Sequence, residues 1–431
     1  MKKRRLKKSV SRVLLFLIIS SFILFVFLVF DKDDITQPTD GKTPQGNIPL
    51  EPVEPGETQQ PKPENTSYLN KITNKDSLND EQLKLITDFF DEYYKSLKEL
   101  KEYDLTKFFV DVDSEDALII QTALSVLIEN RKLKPNDLRL NSVKYDLNIN
   151  GVNTNNGEVK ISILENTYMR FAFMSDIESK IYNIENEFTI KKIDDEYKIL
   201  KYEKVQDLYV MITDVYNGGG KQELDKIKQN YISIISKKVE SNKKDYQDFL
   251  NGNIETKECD HKYDRQKALN YALSWVNKRN SNWTTFDSNC QNYASQVLYN
   301  GGIVMDYNGS ADSHLQWKFY SSSYNTNQEA KGYVYTWTYV PYFYTYAKNN
   351  TGTGLCASVD ANIYSAEAGD VIHVGPSGPT RHAVVVIGDY KVDGKTVDIL
   401  VNSNTVDLEN FPISAYAYPY ISLIKVYGWN D

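Results

Sequence analysis

The sequence is poor in the residues that carry most site chemistry. Its 431 residues include 3 cysteines, 4 histidines and 5 methionines. Three thiols (Cys259, Cys290 and Cys356) cannot all pair internally, which excludes a disulfide-dense scaffold. A Cys259–Cys356 bridge would leave Cys290 free, and the sequence does not decide whether it forms. No H-E-x-x-H and no C-x-x-C occurs, and "CDHKYD" offers only scattered donors, so a zinc hydrolase is not expected. G-x-S-x-G is also absent, which argues against a serine hydrolase. Excess positive charge is missing too. A formal charge of -8 argues against nucleic acid as a partner, because phosphate binding needs basic surface. No metal or other cofactor is expected.

What is present is unevenly distributed. Basic residues cluster as "KKRRLKK" at 2–8, and an uncharged apolar run follows at 13–30. At about 1.5 Å of rise per residue, such a run reaches across a hydrocarbon core. It ends in bulky Phe-Leu-Val-Phe and Asp31 rather than in small residues. The expectation is an uncleaved signal anchor over 1–31 with its basic tail in the cytoplasm. That makes a single-pass cell-membrane protein whose carboxy-terminal domains are extracellular. Residues 32–66 are proline-rich and without periodicity, so they read as an extended linker.

From 67 to 217 the pattern is α+β. "DEQLKLITDFFDEYYKSLKEL" repeats apolar residues at helical spacing, and "DALIIQTALSVLIENRKL" predicts a second helix. Alternating stretches such as "GEVKISILENTYMRF" and "NEFTIKKIDDEYKILKYEKV" predict an antiparallel sheet. Two helices followed by such a sheet resemble the cone-shaped fold of nuclear-transport-factor type, which assigns no function. The region has neither His nor Cys, so a docking or spacer role is expected, with no partner named. A charged helical linker covers 218–261. Residues 262–431 hold the aromatic-rich remainder, including His314, His373 and His382, with His261 just before it. The stretch "YVYTWTYVPYFYTYAKNN" reads as aromatic strands that serve mainly in core and interface packing.

One helix start concentrates the chemistry. In "SNCQNYASQVLYNGG", Tyr293, Ala294, Val297 and Leu298 share a face, and Gly301-Gly302 supplies a stop. Ser288 or Asn289 caps the helix, which leaves Cys290 in the first turn. There the helix dipole favours the thiolate, and the Cys290 N–H can stabilise an oxyanion. His382, at the start of the apolar run "HAVVVIGDY", is the candidate base. "KVDGKTVDILVNSNT" then returns as a second strand. A three-residue loop would set Asn404 opposite His382, and a five-residue loop would set Asn402 there. A two-residue turn on Asp393-Gly394 would put both asparagines on the other face.

These residues resemble a family. "YDRQKALNYALSWVNKRNSNWTTFDSNCQNYASQVLYNGG", a later Gly369-Asp370 and then His382 are similar to the amidase domain of Gram-positive surface and spore proteins. The resemblance covers about Tyr263 to Trp429. It implies a papain-like α+β fold with a Cys–His pair. Asn289 replaces the family's usual aspartate, and Asn402 stands where members tend to have a second histidine. The resulting expectation is a membrane-anchored multidomain chain, its cone-shaped α+β domain followed by a papain-like α+β hydrolase domain. It would cleave envelope amide bonds, most naturally in peptidoglycan, through Cys290, His382 and Asn402. A non-catalytic wall-binding scaffold and acyl transfer on the same pair are the alternatives.

Overall fold

In the computed structural model, which describes residues 67–308, 314–319 and 333–431, the first long helix starts on a capping box. The Asn79 side chain accepts from the Gln82 N–H at 2.9 Å, and Gln82 Oε1 accepts from the Asn79 N–H at 3.0 Å. Helix α1 (Asp80–Glu99) turns Ile86, Phe89, Phe90, Tyr94 and Leu97 inward and ends at Leu100 in the left-handed region (φ 48°). Helix α2 (Glu115–Leu133) packs beside it, with Ala117, Ile120, Leu124 and Ile128 buried.

Both helices lie against strands β1 (Leu69–Thr73), β2 (Leu140–Asn155), β3 (Glu158–Phe171), β4 (Ser179–Ile193) and β5 (Glu196–Lys204). β2 to β5 pair antiparallel in sequence order, and β1 adds parallel to β2. Along β3 the alternation sends Val159, Ile161, Ile163, Met169 and Phe171 into the core. In the middle of that face Glu165 is buried. It is neutralised by Lys204 at 3.3 Å, by Asn186 Nδ2 at 3.0 Å and by the Tyr94 hydroxyl.

Helices α3 (Asp207–Gly219) and α4 (Lys221–Leu250) follow. α4 buries little more than Leu224, Tyr231 and Ile235, as its charged composition requires, and the Tyr231 hydroxyl donates to the Ala417 carbonyl at 2.8 Å. The remaining elements are β6 (His261–Lys262), α5 (Arg265–Trp275), α6 (Cys290–Asn300), α7 (Tyr335–Thr338), α8 (Val340–Asn349), β7 (Gly354–Ala361), β8 (Val371–Gly375), β9 (His382–Val392), β10 (Lys395–Ser403), β11 (Asp407–Pro412) and β12 (Tyr420–Asn430).

Among the described residues the strands make one twelve-stranded sheet, ordered β1-β2-β3-β4-β11-β10-β9-β8-β12-β6, with β5 on β4 and β7 on β12. The join is β4 with β11, where Tyr182, Ile181 and Lys180 stand opposite Asp407, Leu408 and Glu409. Phe171 and Phe411 meet edge to face across it at 5.8 Å. A single apolar core therefore runs from α1 and α2 to Val384, Val386 and Val401, while a second core packs α5, α6 and α8 on the opposite face of β8, β9 and β12.

This corrects the expected fold class. Residues 67–431 form one unit, and the strands after residue 262 extend the sheet of the cone-like part rather than building a separate papain-like domain. The physical reason is the unpaired side of β4 beyond β5, which β11 completes through main-chain hydrogen bonds. The expected membrane anchor and single-pass localisation are likewise not carried forward. No helix among the described residues is long and apolar enough to cross a membrane. The run at 13–30, read as that span, and the linker at 32–66 lie outside the described residues.

Candidate active site

Helix α6 begins at Cys290, as its sequence predicts, and is buried along most of its length. Its start is fixed by side-chain amides. Asn404 Nδ2 donates to the carbonyls of Trp275 (2.9 Å), Lys278 (3.1 Å) and Val276 (3.3 Å). Its Oδ1 is thereby turned to Asn289 Nδ2, at 2.6 Å. Asn289 Oδ1 accepts in turn from the Phe286 N–H and Asn292 Nδ2. An asparagine, unlike an aspartate, both donates and accepts here, which accounts for Asn289 before the cysteine. Asn404 thus positions the helix that carries the thiol.

The structure brings Cys290 and His382 together. His382 opens β9, where Val374 pairs with it across β8, and its imidazole lies near enough to the Cys290 thiol for each to shift the other's titration. The Ala383 N–H also favours the charged form of the sulfur. Burial opposes charge on both groups, but the partner's charge and the polar groups beside it outweigh that. Cys290 is held below the usual thiol range and His382 above the usual imidazole range. Both shifts run toward the charged forms, the direction a nucleophilic cysteine and its base require. Cys259 and Cys356 form a disulfide, leaving Cys290 as the free thiol among the described residues.

The third position differs from expectation. His382 Nε2 lies 2.7 Å from Ser403 Oγ. Ser403 Oγ donates to the Thr405 carbonyl at 3.2 Å, so its lone pairs are free to accept from the imidazole. Asn402 is not joined to His382 by any hydrogen bond among the described residues. Its Oδ1 accepts from the Asn410 N–H at 2.9 Å, and its side chain turns to Tyr293 of α6.

Register explains this. Asp393 and Gly394 form a two-residue turn between paired Val392 and Lys395, both with positive φ. One register shift follows between Thr396 and Asp398 and a second between Leu400 and Val401. Each bulge exchanges faces, so the two together restore the parity of the plain turn. Asn402 then faces Val385, and the face of His382 belongs to Ser403. Ser403 was missed although the Asp-Gly turn signals its parity.

The other histidines do not join the pair. His373 is buried with Nε2 2.8 Å from Gln291 Oε1, and burial pushes its pKa down to about 3, so it stays neutral. His261 stacks on Trp429, and His314 on Tyr342. Asp370 is structural: it receives Arg265 at 2.9 Å and the Val426 N–H at 2.9 Å. No group of His, Cys, Asp and Glu among the described residues could hold a metal.

These features define a cysteine–histidine pair on a helix start, backed by a serine. Residues 262–428 match the family described as "Putative amidase domain". The chain is 33% identical over 150 residues to "Uncharacterized protein YhbB" of Bacillus subtilis (strain 168). That alignment takes in 34% of this chain and 42% of the relative, so the chain spans about two fifths of the relative's length. Among solved structures, the "Putative Scytalone Dehydratase" of Novosphingobium aromaticivorans is similar at 14% identity. It covers 28% of this chain and 82% of that one with a TM-score of 0.21, a likeness too slight to carry an argument. An amidase domain is thus present, and it is compatible with hydrolysis of an amide substrate.

Proposed function

We propose that the protein is a cysteine amidase in which Cys290 attacks an amide carbonyl and His382 carries the proton to the leaving amine. The observation that supports this most is the nearness of the Cys290 thiol and the His382 imidazole, with each group's pKa moved toward its charged form by the other. Ser403 holds the imidazole by Nε2, taking the place expected of Asn402. The first-turn N–H of Cys290, free of any side-chain cap, is available to the oxyanion. The tetrahedral intermediate collapses to a thioester as the imidazolium protonates the amine, and water then releases the acid. The resemblance to surface and spore amidase domains makes peptidoglycan cross-bridge and stem-peptide amides the substrate class to try.

The experiment is release of new amine ends from purified cell wall by wild type, Cys290→Ala and His382→Ala. Turnover by the wild type and none by Cys290→Ala is expected. Equal release by both would overturn the assignment. A second reading, a binding scaffold with an inert pair, draws on burial, since Cys290 is 6% and His382 3% exposed. Wall binding with no turnover, unchanged in Cys290→Ser, is the result that would favour it.

A further inference from the structure

We propose that the cavity enclosed by α1, α2 and the β11–β12 connection binds a small carboxylate with an aromatic or branched apolar body, its charge received by Arg131. This site is independent of the reading of Cys290 and His382. The cavity measures about 80 Å³ and is walled by Tyr93, Leu97 and Leu127 on one side and by Leu408, Phe411 and Tyr416 on the other. Arg131 reaches its lining from α2 and is only 4% exposed. Its guanidinium lies over the Phe171 ring at 5.3 Å, yet Nε and Nη1 have no hydrogen-bond partner.

The other charges at the wall are accounted for. Lys204 pairs with Glu165 at 3.3 Å. Asp207 accepts from the Tyr416 hydroxyl at 3.4 Å and interacts with Arg381. Burial lowers the Arg131 pKa to about 10, so the group remains a cation at neutral pH. A buried cation without an anion is costly and calls for one. An apolar cavity with one such polar group has the anatomy of a small-molecule site. One cation matches a monoanion, and planar carboxylate oxygens suit a guanidinium. A dianionic phosphate would leave excess negative charge beside Asp207. Tyr416, part of the wall, also stacks on the His382 ring, with centroids 6.1 Å apart, so a ligand here would lie next to the pair.

The test is calorimetric titration of the full chain at pH 7 with benzoate, phenylacetate and 3-methylbutanoate, and with benzamide and phenylacetamide as uncharged counterparts. Saturable one-to-one binding of at least one acid is expected, weakened about tenfold or more for its amide and in Arg131→Met. Arg131→Met conserves volume and removes an unpaired charge, so its thermal melting should not fall. Should it fail to fold, Leu127→Phe fills the cavity and should abolish binding. No saturable acid binding, equal binding of acids and amides, or binding unaffected by the variant that folds would each overturn the proposal.

Discussion

Replacing Ser403 by alanine tests the geometry of the Cys290–His382 pair directly. The Ser403 hydroxyl is the acceptor at 2.7 Å from His382 Nε2. A hydrogen bond to a charged group contributes about 1.5–3 kcal/mol, against about 0.5–1.5 for a neutral one. Its loss therefore disfavours imidazolium relative to imidazole by roughly 1–1.5 kcal/mol, or about one pKa unit. In the singly protonated pair the proton then favours the sulfur more, so the Cys290 titration moves up, by at most that amount. His382→Ala moves it further, because burial then acts on the thiol with only the Ala383 N–H against it. Asn402→Ala leaves the midpoint within about 0.3 unit, since its side chain bonds Asn410 and not the imidazole. The assay is far-ultraviolet thiolate absorbance against pH, with Cys290→Ser as blank. It needs no reagent to enter a buried site, and the Cys259–Cys356 disulfide leaves one thiol to titrate. A shift in Asn402→Ala with none in Ser403→Ala would refute the reasoning.

Two further outcomes follow from the same structure. Asp398 is buried and its pKa is raised to about 6, so between roughly pH 4 and 6 the native state binds more protons than the unfolded one. The Asp398 contribution to stability should fall as pH rises through that window, by roughly 3 kcal/mol. Urea melts of Asp398→Asn should lack that share of the slope, the raised Asp116, Asp214, Asp245 and Asp370 supplying the rest. Lys134, lowered to about 8, titrates outside the window. Asn289→Asp would set a carboxylate oxygen against Asn404 Oδ1, whose amide nitrogen is committed to three carbonyls. A loss of roughly 2–3 kcal/mol in denaturant unfolding is expected, and a change below about 0.5 kcal/mol would mean the amide network is oriented otherwise.

Much of the local structure was legible. The helices α1 and α2 follow their apolar spacing, α4 its charged helical composition, and Asn79 and Gln82 mark the start of α1 three residues apart. Cys290 in the first turn of α6 and His382 at the head of β9 are likewise written in local patterns of polarity. Their long-range partners were not. Asn289 and Asn404 meet only because α6 docks beside the end of β10, and no spacing within either segment requires it.

The sequence by itself determined many of the helix and strand segments, though not 335–349, read as strand and folded as helices α7 and α8, and that one thiol and one imidazole stand at element ends. Propensity, alternation and capping act over a few residues, so they can be read from a few residues. It also contained the Asp393-Gly394 turn that sets the first pairing of β9 with β10. Tertiary structure alone decided that two bulges follow rather than one, and so that Ser403 faces His382. A bulge is selected by the packing of both sheet faces, and one more or fewer would have exchanged serine for asparagine. It alone also decided that β11 completes β4, because strand edges pair through main-chain groups that every residue but proline carries in full. That join merges two apparent modules into one sheet and closes the cavity around Arg131.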